Sequence, residues 1–522
     1  MIAFHARLSL NSWFAVILLA GACSSPDRSK PTGQVAGPAS ADKSSSKATP
    51  DSLAGQASVE PPADTVGSAS HFVRPLAERW TGDLDSMVER RHIRVLVTPT
   101  RTQYWVDRGR QTGAEYDLVR AFEDRINKGY ARRKHLKISV IFIPTSRGDL
   151  IPDLLDGRGD IAVGILTLTP ERLAQADFGG PFFKGVREVP VTGPQSPGLN
   201  NLDDLSGKEV VVRKSSSYWS HLQALNRRLR SEGKPLVTLR AAPEDLTDDD
   251  LMEMVNAGLL GITVVDRYSA LLWSKIFKDL VVHPDIAVND GGEIGWLIRK
   301  NSPQLKAVID SFARTHGQGT LFGNSVIKKY TGSTRFVKNA QSPQAVERFR
   351  GMVDLFRKYA DEYSLDYLLM IAQGFQESQL QQNRKSPVGA IGVMQVMPAT
   401  GKSLKVGDIH QLEPNIHAGV KYIRFMIDQY FADEPMTELN RTLFAFAAYN
   451  AGPSRVQRLR AEAARRGLDP NVWLNNVEVV AAEKIGAETV TYVSNIYKYY
   501  VAYTLTLQQI EARRKAAEQL TQ

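Results

Sequence analysis

Periodic patterning of apolar and polar positions begins only near Arg79 and changes character once, near Pro343. Ile93-Arg94-Val95-Leu96-Val97 and Ile138-Ser139-Val140-Ile141-Phe142-Ile143 predict short strands, with a helix opening at Tyr116 to Phe122 between them. Ile161-Ala162-Val163-Gly164-Ile165 predicts a buried strand after the turn Asp156-Gly157-Arg158-Gly159-Asp160. A second set runs from Glu209-Val210-Val211-Val212-Arg213 through a helix over Ser220 to Leu229 to the strand Gly261-Ile262-Thr263-Val264-Val265, and returns near Gly295-Trp296-Leu297-Ile298. This order predicts a bilobal α/β domain with a largely parallel sheet, its two lobes joined by two crossings around a cleft. After Gln341-Ser342-Pro343 the period lengthens. Leu365, Leu368, Leu369, Ala372 and Phe375 share one helical face, which predicts a second, mainly α domain.

Upstream of Arg79 one concentrated apolar block stands out, Leu8 to Leu19, preceded by His5 and Arg7 and followed by Ala20-Gly21-Ala22. At roughly 12 residues it is short of the ~20 that span a bilayer and reads as a secretory signal over 1–22. Ser24 to Ser70 is rich in Ser, Ala, Pro, Gly and Lys and too poor in apolar surface to offset chain entropy, so it reads as a tether. The expected organisation is a signal at 1–22, Cys23 with the tether at 23–78, the α/β domain at 79–335, the helical domain at 345–510 and a tail at 511–522. Cys23 is the only cysteine of the chain, which excludes an intramolecular disulfide and a thiolate metal cluster. The small residues before Cys23 resemble the lipobox of bacterial lipoproteins, in which that thiol is acylated. Ala20 departs from the pattern, where leucine is most frequent, and cleavage by the ordinary signal peptidase just before Cys23 is the alternative. Ser24, in place of aspartate, resembles lipoproteins sorted to the outer membrane, so the resemblance implies an outer-membrane lipoprotein facing the periplasm.

The 65 basic residues against 56 acidic ones give +9, which favours an anionic neighbour such as a phospholipid surface or a carboxylate-bearing polymer. No Gly-rich phosphate loop, no His pair at zinc spacing and no basic-aromatic pattern occurs, so neither metal, cofactor nor nucleic acid is expected. Asp248-Asp249-Asp250 reads as charge at a helix start.

About Arg91 to Tyr330 resembles the extracellular solute-binding family that captures polar amino acids. The resemblance rests on Ile93 to Val97, Gly113-Ala114-Glu115-Tyr116-Asp117-Leu118, Leu168-Thr169-Pro170-Glu171-Arg172 and Asp177-Phe178-Gly179-Gly180-Pro181-Phe182. It implies that Arg172 clamps a ligand carboxylate, for which a guanidinium fork is suited, and that Asp266 faces the ligand ammonium. The ligand implied is an amino acid or a peptide-bearing wall fragment.

The chemistry expected of the helical domain centres on Glu377, which ends its apolar stripe as Gln376-Glu377-Ser378. Downstream, Gly389 and Gly392 allow close backbone approach, Met394 and Met397 offer apolar surface, and Gln395 can hydrogen-bond a sugar. An acid held against apolar neighbours keeps its proton to higher pH and can donate it to a glycosidic oxygen. Gln376-Glu377-Ser378, Ser386-Pro387, the run Gly389 to Thr400, Ala448-Tyr449-Asn450-Ala451-Gly452-Pro453, and Glu488-Thr489 with Tyr492-Val493 and Asn495-Ile496 resemble the goose-lysozyme-related domain of soluble-type lytic transglycosylases. That resemblance implies one catalytic carboxylate, Glu377, acting on the peptidoglycan bond between N-acetylmuramic acid and N-acetylglucosamine. Ser386, Gln395, Met397, Tyr449 and Asn450 would bind the sugars. The pairing of the two domains resembles a group of membrane-bound lytic transglycosylases. A muramidase that adds water, and a non-enzymatic receptor with a wall-binding domain, remain as alternatives.

Overall fold

The computed structural model describes residues 78–107, 109–131, 135–196, 198–332, 343–432 and 436–521. Of these, 78–351 and 498–521 form one compact unit and 352–497 another. The signal, Cys23 and the tether lie outside the described residues.

The first unit is built on a seven-stranded sheet in the order Val281–Val282, Asp177–Thr192, Asn289–Ile298, Ile161–Thr167, His92–Val97 and Ser139–Pro144, with Ile262–Asp266 added to Asp177–Thr192. His92–Val97 runs parallel to both of its neighbours and is buried over five of its six residues, as a strand covered on both faces requires. The other pairings in this sheet are antiparallel, so the sheet is mixed, in contrast to the largely parallel one read from the sequence. The physical reason lies in the crossings. Asp177–Thr192 is a single 16-residue strand that leaves the first lobe and pairs in the second with Ile262–Asp266, and Asn289–Ile298 returns alongside it in the opposite direction. Glu209–Arg213 and Thr238–Ala242 form a separate parallel pair.

Aromatic side chains fill the first lobe, with Trp296 packed against Phe182 at 4.5 Å and edge-on to Phe122 at 5.4 Å. The second lobe closes on Val211, Leu251, Met252, Val265 and Trp273. Residues 511–521, read as a tail from the sequence, continue the helix Ala487–Thr521, and Ala516 and Leu520 bury their side chains in that same core. Asp160, fully buried at the start of Ile161–Thr167, is the electrostatic hub of the first lobe. It accepts hydrogen bonds from the Arg94 backbone at 2.7 Å and the Arg94 guanidinium at 3.0 Å, pairs with Arg90, and has Arg299 at 3.5 Å. Removing one partner of a buried ion cluster leaves the others uncompensated. Asp160→Asn is therefore expected to lower unfolding free energy by about 3–5 kcal/mol, read from urea denaturation monitored by tryptophan fluorescence.

The second unit is helical, with Tyr367–Ser378, Leu412–Tyr430, Glu438–Ala451, Pro453–Arg465 and Glu478–Ile485 as its principal helices. Glu438–Ala451 is buried continuously from Thr442 to Ala448, which identifies it as the central helix. Phe444 on that helix stacks on Phe431 at 5.7 Å and meets Trp473 edge-on at 5.6 Å.

Candidate active site

The position of Glu377 follows from how its helix starts and stops. Asp366 accepts hydrogen bonds from the Leu368 and Leu369 amides and begins the helix, and Gln379, left-handed at φ 57°, ends it. Leu368 to Phe375 are buried throughout, so the last turn is anchored and Glu377 projects, half-buried, from its end. The adjacent Ser378 hydroxyl donates to Gly374 O at 3.2 Å and Val393 O at 2.8 Å, which ties the helix end to the loop that follows.

Tyr492 donates its hydroxyl proton to Glu377 Oε1 at 2.5 Å, and Gln373 Nε2 donates to the Tyr492 oxygen at 3.4 Å. Burial pushes the Glu377 carboxyl up to about 7, with the Tyr492 hydrogen bond pulling in the other direction. Among the described residues no second carboxylate contributes to this shift. Burial, and then the charge of Glu377, push the Tyr492 phenol well above its usual range, so it stays a donor. The arrangement is a single carboxyl that titrates near neutrality and has one positioned donor. It can give a proton and take one back.

The loop beside it is shaped by its own residues. The Ser386 hydroxyl accepts from the Ala390 amide at 2.9 Å, and Ile391 bridges to Val396. Gln395, left-handed at φ 48°, donates its side-chain amide to Gly392 O at 2.8 Å and Arg384 O at 3.2 Å. Tyr449 donates to Met394 O at 2.6 Å, and its ring lies edge-on to Tyr422 at 5.6 Å. Asn450 Oδ1 accepts from the Thr489 hydroxyl at 2.7 Å, and Met397 stands half-buried at the N-cap of Pro398–Leu404. All five residues expected to bind sugar thus belong to the same unit as Glu377; Ser386, Gln395 and Tyr449 use polar atoms to fasten the loop, and Asn450 ties Glu438–Ala451 to Ala487–Thr521.

Beneath this loop lies a residue the sequence reading missed. Asn415, fully buried, accepts from the Met394 amide at 2.8 Å and donates to Ile391 O at 2.8 Å and Ile409 O at 3.0 Å. Gly392, at φ +79°, lies so close that a Cβ there would stand 2.4 Å from Asn415 Nδ2. Tyr492 was visible within a recognised motif, but its partnership with Glu377 was not. Replacing it should separate the two roles of the carboxyl's environment. In Tyr492→Phe the bond that favours the ionised carboxylate is gone, so the alkaline limb of the pH-activity profile moves up, and activity at neutral pH falls about tenfold, the effect of roughly 1.4 kcal/mol.

In the other unit, Asp266 ends the strand Ile262–Asp266, is 3% exposed and lines the cleft between the lobes with Thr98, Arg147 and Arg213. Burial, and then Glu188 and Asp248, push its carboxyl up to about 8. Arg172 is also buried, but its two terminal nitrogens donate to Thr167 O at 2.8 Å and Ser215 O at 2.7 Å. No group of three or more His, Cys, Asp or Glu side chains among the described residues could hold a metal ion, and no described helix is long and apolar enough to cross a membrane.

Two family models match the chain: "Bacterial extracellular solute-binding proteins, family 3" over 93–322 and "Transglycosylase SLT domain" over 354–471. Two proteins named "Membrane-bound lytic murein transglycosylase F" are similar to it. The one from Pseudomonas fluorescens (strain Pf0-1) is 26% identical over 81% of this chain and 87% of its own length. The one from Ectopseudomonas mendocina (strain ymp) is 27% identical over the same shares. Among solved structures, an ancestral arginine-binding protein bound to glutamine aligns with 46% of this chain and 98% of its own, at 21% identity and a TM-score of 0.38. The chain thus pairs a match to the family 3 solute-binding model with a match to the SLT-domain model, and over most of their length it is similar to proteins named membrane-bound lytic murein transglycosylase F.

Proposed function

We propose that this peptidoglycan lytic transglycosylase uses Glu377 first as acid and then as base. The Glu377 carboxyl donates its proton to the oxygen between N-acetylmuramic acid and N-acetylglucosamine as the bond from that oxygen to the anomeric carbon breaks. The acetamido oxygen of the muramic residue stabilises the anomeric centre meanwhile, the substrate-assisted exception to the two-carboxylate scheme. The 6-hydroxyl oxygen of the same sugar then bonds to the anomeric carbon and gives its proton to the Glu377 carboxylate. The product is 1,6-anhydro-N-acetylmuramic acid, the carboxyl is regenerated, and no water is consumed. Ser386, Gln395, Met397, Tyr449 and Asn450 hold the sugars along the loops they shape.

The observation that carries this reading is the environment of Glu377: a lone carboxyl pushed up to about 7 by burial, with Tyr492 as its donor. Mass spectrometry of purified sacculi after digestion tests it. An anhydromuramyl end is one water lighter than a reducing end, so reducing ends as the sole product would assign the domain to a muramidase instead.

Acylation of Cys23 and the tether after it would hold the enzyme at the outer membrane, on the periplasmic side, with reach into the wall. In the N-terminal domain, the cleft takes an amino acid or the peptide of a muropeptide. Asp266 meets its ammonium, and Arg172 meets its carboxylate by exchanging one of its carbonyl partners. Equilibrium dialysis with muropeptides and amino acids tests this ligand reading, and no uptake at millimolar concentration leaves the domain a structural spacer.

A further inference from the structure

The cleft of the N-terminal domain is already filled. Between the residues that line it, the structure leaves a cavity of about 30 Å3, room for two or three water molecules at roughly 10–15 Å3 each and too little for an amino acid. One of the side chains that wall it is Arg147, on the loop between the strand Ser139–Pro144 and the helix Leu150–Leu155. Its guanidinium donates to Gly164 O and, at 2.8 Å, to Ile165 O, the carbonyls of two successive residues that line the same cleft.

Those two residues are held in an unusual backbone. Ile165 is β-branched yet left-handed at φ 56°, a conformation such residues rarely adopt, and it persists only where the surroundings over-determine it. Here they do so from both sides. The backbone of Gly164 and Ile165 lies beside the buried Glu115 side chain, whose ionised form it favours and which accepts from Trp296 Nε1 at 3.1 Å, and their carbonyls face Arg147. Burial and the neighbouring Arg213 oppose the charge of Arg147, while Asp248, itself paired with Arg213, and Asp266 favour it. Asp266 Oδ1 and Thr98 Oγ1 are buried and have no hydrogen-bond partner among the described residues, which is what a site lacking part of its ligand looks like.

We infer that Arg147 is the resident occupant of the cleft, its guanidinium standing where the cationic group of a ligand sits once a ligand displaces it. The inference rests on the reading of this cleft as a ligand site and is independent of what the C-terminal domain cleaves. It assigns the ligand to a chemical class: a molecule with a guanidinium or ammonium group that can bond the Gly164 and Ile165 carbonyls and face Asp266, with the donors that Asp266 Oδ1 and Thr98 Oγ1 lack. An intramolecular occupant competes at high effective concentration, so free ligands bind the intact protein weakly.

The test compares the full-length protein with Arg147→Ala, both in detergent, by isothermal titration calorimetry with L-arginine. Thermal melting with methylguanidinium at about 10 mM accompanies it, with tetramethylammonium as the ionic control. L-Arginine is expected to bind Arg147→Ala at least about tenfold more tightly than it binds the wild type. Methylguanidinium should raise the melting temperature of the variant and leave that of the wild type where it is. Equal affinity in the two proteins keeps the ligand reading and overturns the inference about Arg147. No binding to either overturns the inference and removes support for the ligand reading as well. Should Arg147→Ala fail to fold without additive, Arg147→Gln in the same comparison decides between these outcomes.

Discussion

Glu377→Gln is expected to leave murein uncleared in a zymogram and to lower turnover on sacculi by at least about 10² to 10⁴-fold, the usual contribution of a positioned acid-base group. The loss concerns chemistry alone, because glutamine keeps the side chain's length and can still accept the Tyr492 hydrogen bond. Equal clearing by wild type and variant would sink the catalytic assignment and favour a wall-binding receptor. The same substitution should stabilise the fold, in a pH window fixed by the carboxyl's shift. In the folded chain Glu377 titrates at about 7, against a reference value of 4.5. Folded protein therefore binds more protons than unfolded protein between these values, and stability falls as pH rises through them. Below about 4.5 the carboxyl is neutral in both states and the variant gains nothing. Above about 7 the wild type carries the full cost of a partly desolvated charge, and the variant should be more stable by about 1–3 kcal/mol. Melting temperatures at pH 4 and pH 8 check the sign: a variant stabilised at pH 4 and not at pH 8 contradicts the account.

The second large effect is expected at a residue remote from any proton transfer. Asn415→Ala removes a side chain that satisfies one buried amide and two buried carbonyls, those of Met394, Ile391 and Ile409. Each group left unpaired costs about 1–3 kcal/mol, so a loss of about 3–5 kcal/mol in unfolding free energy is expected after partial relaxation. That is a large fraction of the 5–15 kcal/mol typical of a domain. Chemical denaturation measures the loss. In whatever fraction stays folded, the loop over Gly389 to Met397 loses its support, so KM for glycan should rise while the pH dependence set by Glu377 stays where it was. A variant with unchanged stability would mean that Asn415 is a bystander.

How far the sequence carries the reader depends on whether the physics is local. The strands at Ile93 to Val97 and Ile161 to Ile165, and the helix ending at Glu377, announce themselves by period and by turn residues within a dozen positions. The run over Gly389 to Pro398 announces itself by glycine spacing and by resemblance. The direction of Asp177–Thr192 did not, because a strand's partner is chosen by the topology of both lobes. Asn415 was equally silent: an asparagine inside an amphipathic helix looks like a solvent-facing residue until its three backbone partners are assembled from elsewhere in the chain. Tyr492 lies 115 positions from Glu377, and nothing along the chain connects the two. Arg172 marks a different limit. Its guanidinium donates to the Thr167 and Ser215 carbonyls, and the second of these partners, 43 positions away, is announced by no pattern around Leu168 to Arg172.

The close approach of Gly392 to Asn415 reaches beyond this molecule. No side chain fits at 392 while asparagine occupies 415, and a smaller residue at 415 would free that space only by abandoning the bonds that hold the loop. A mutational path that changes either position first passes through a damaged intermediate. Within this lineage the two sites are therefore expected to vary together or not at all, while the exposed side chains of Asn383-Arg384-Lys385 beside them are free to drift.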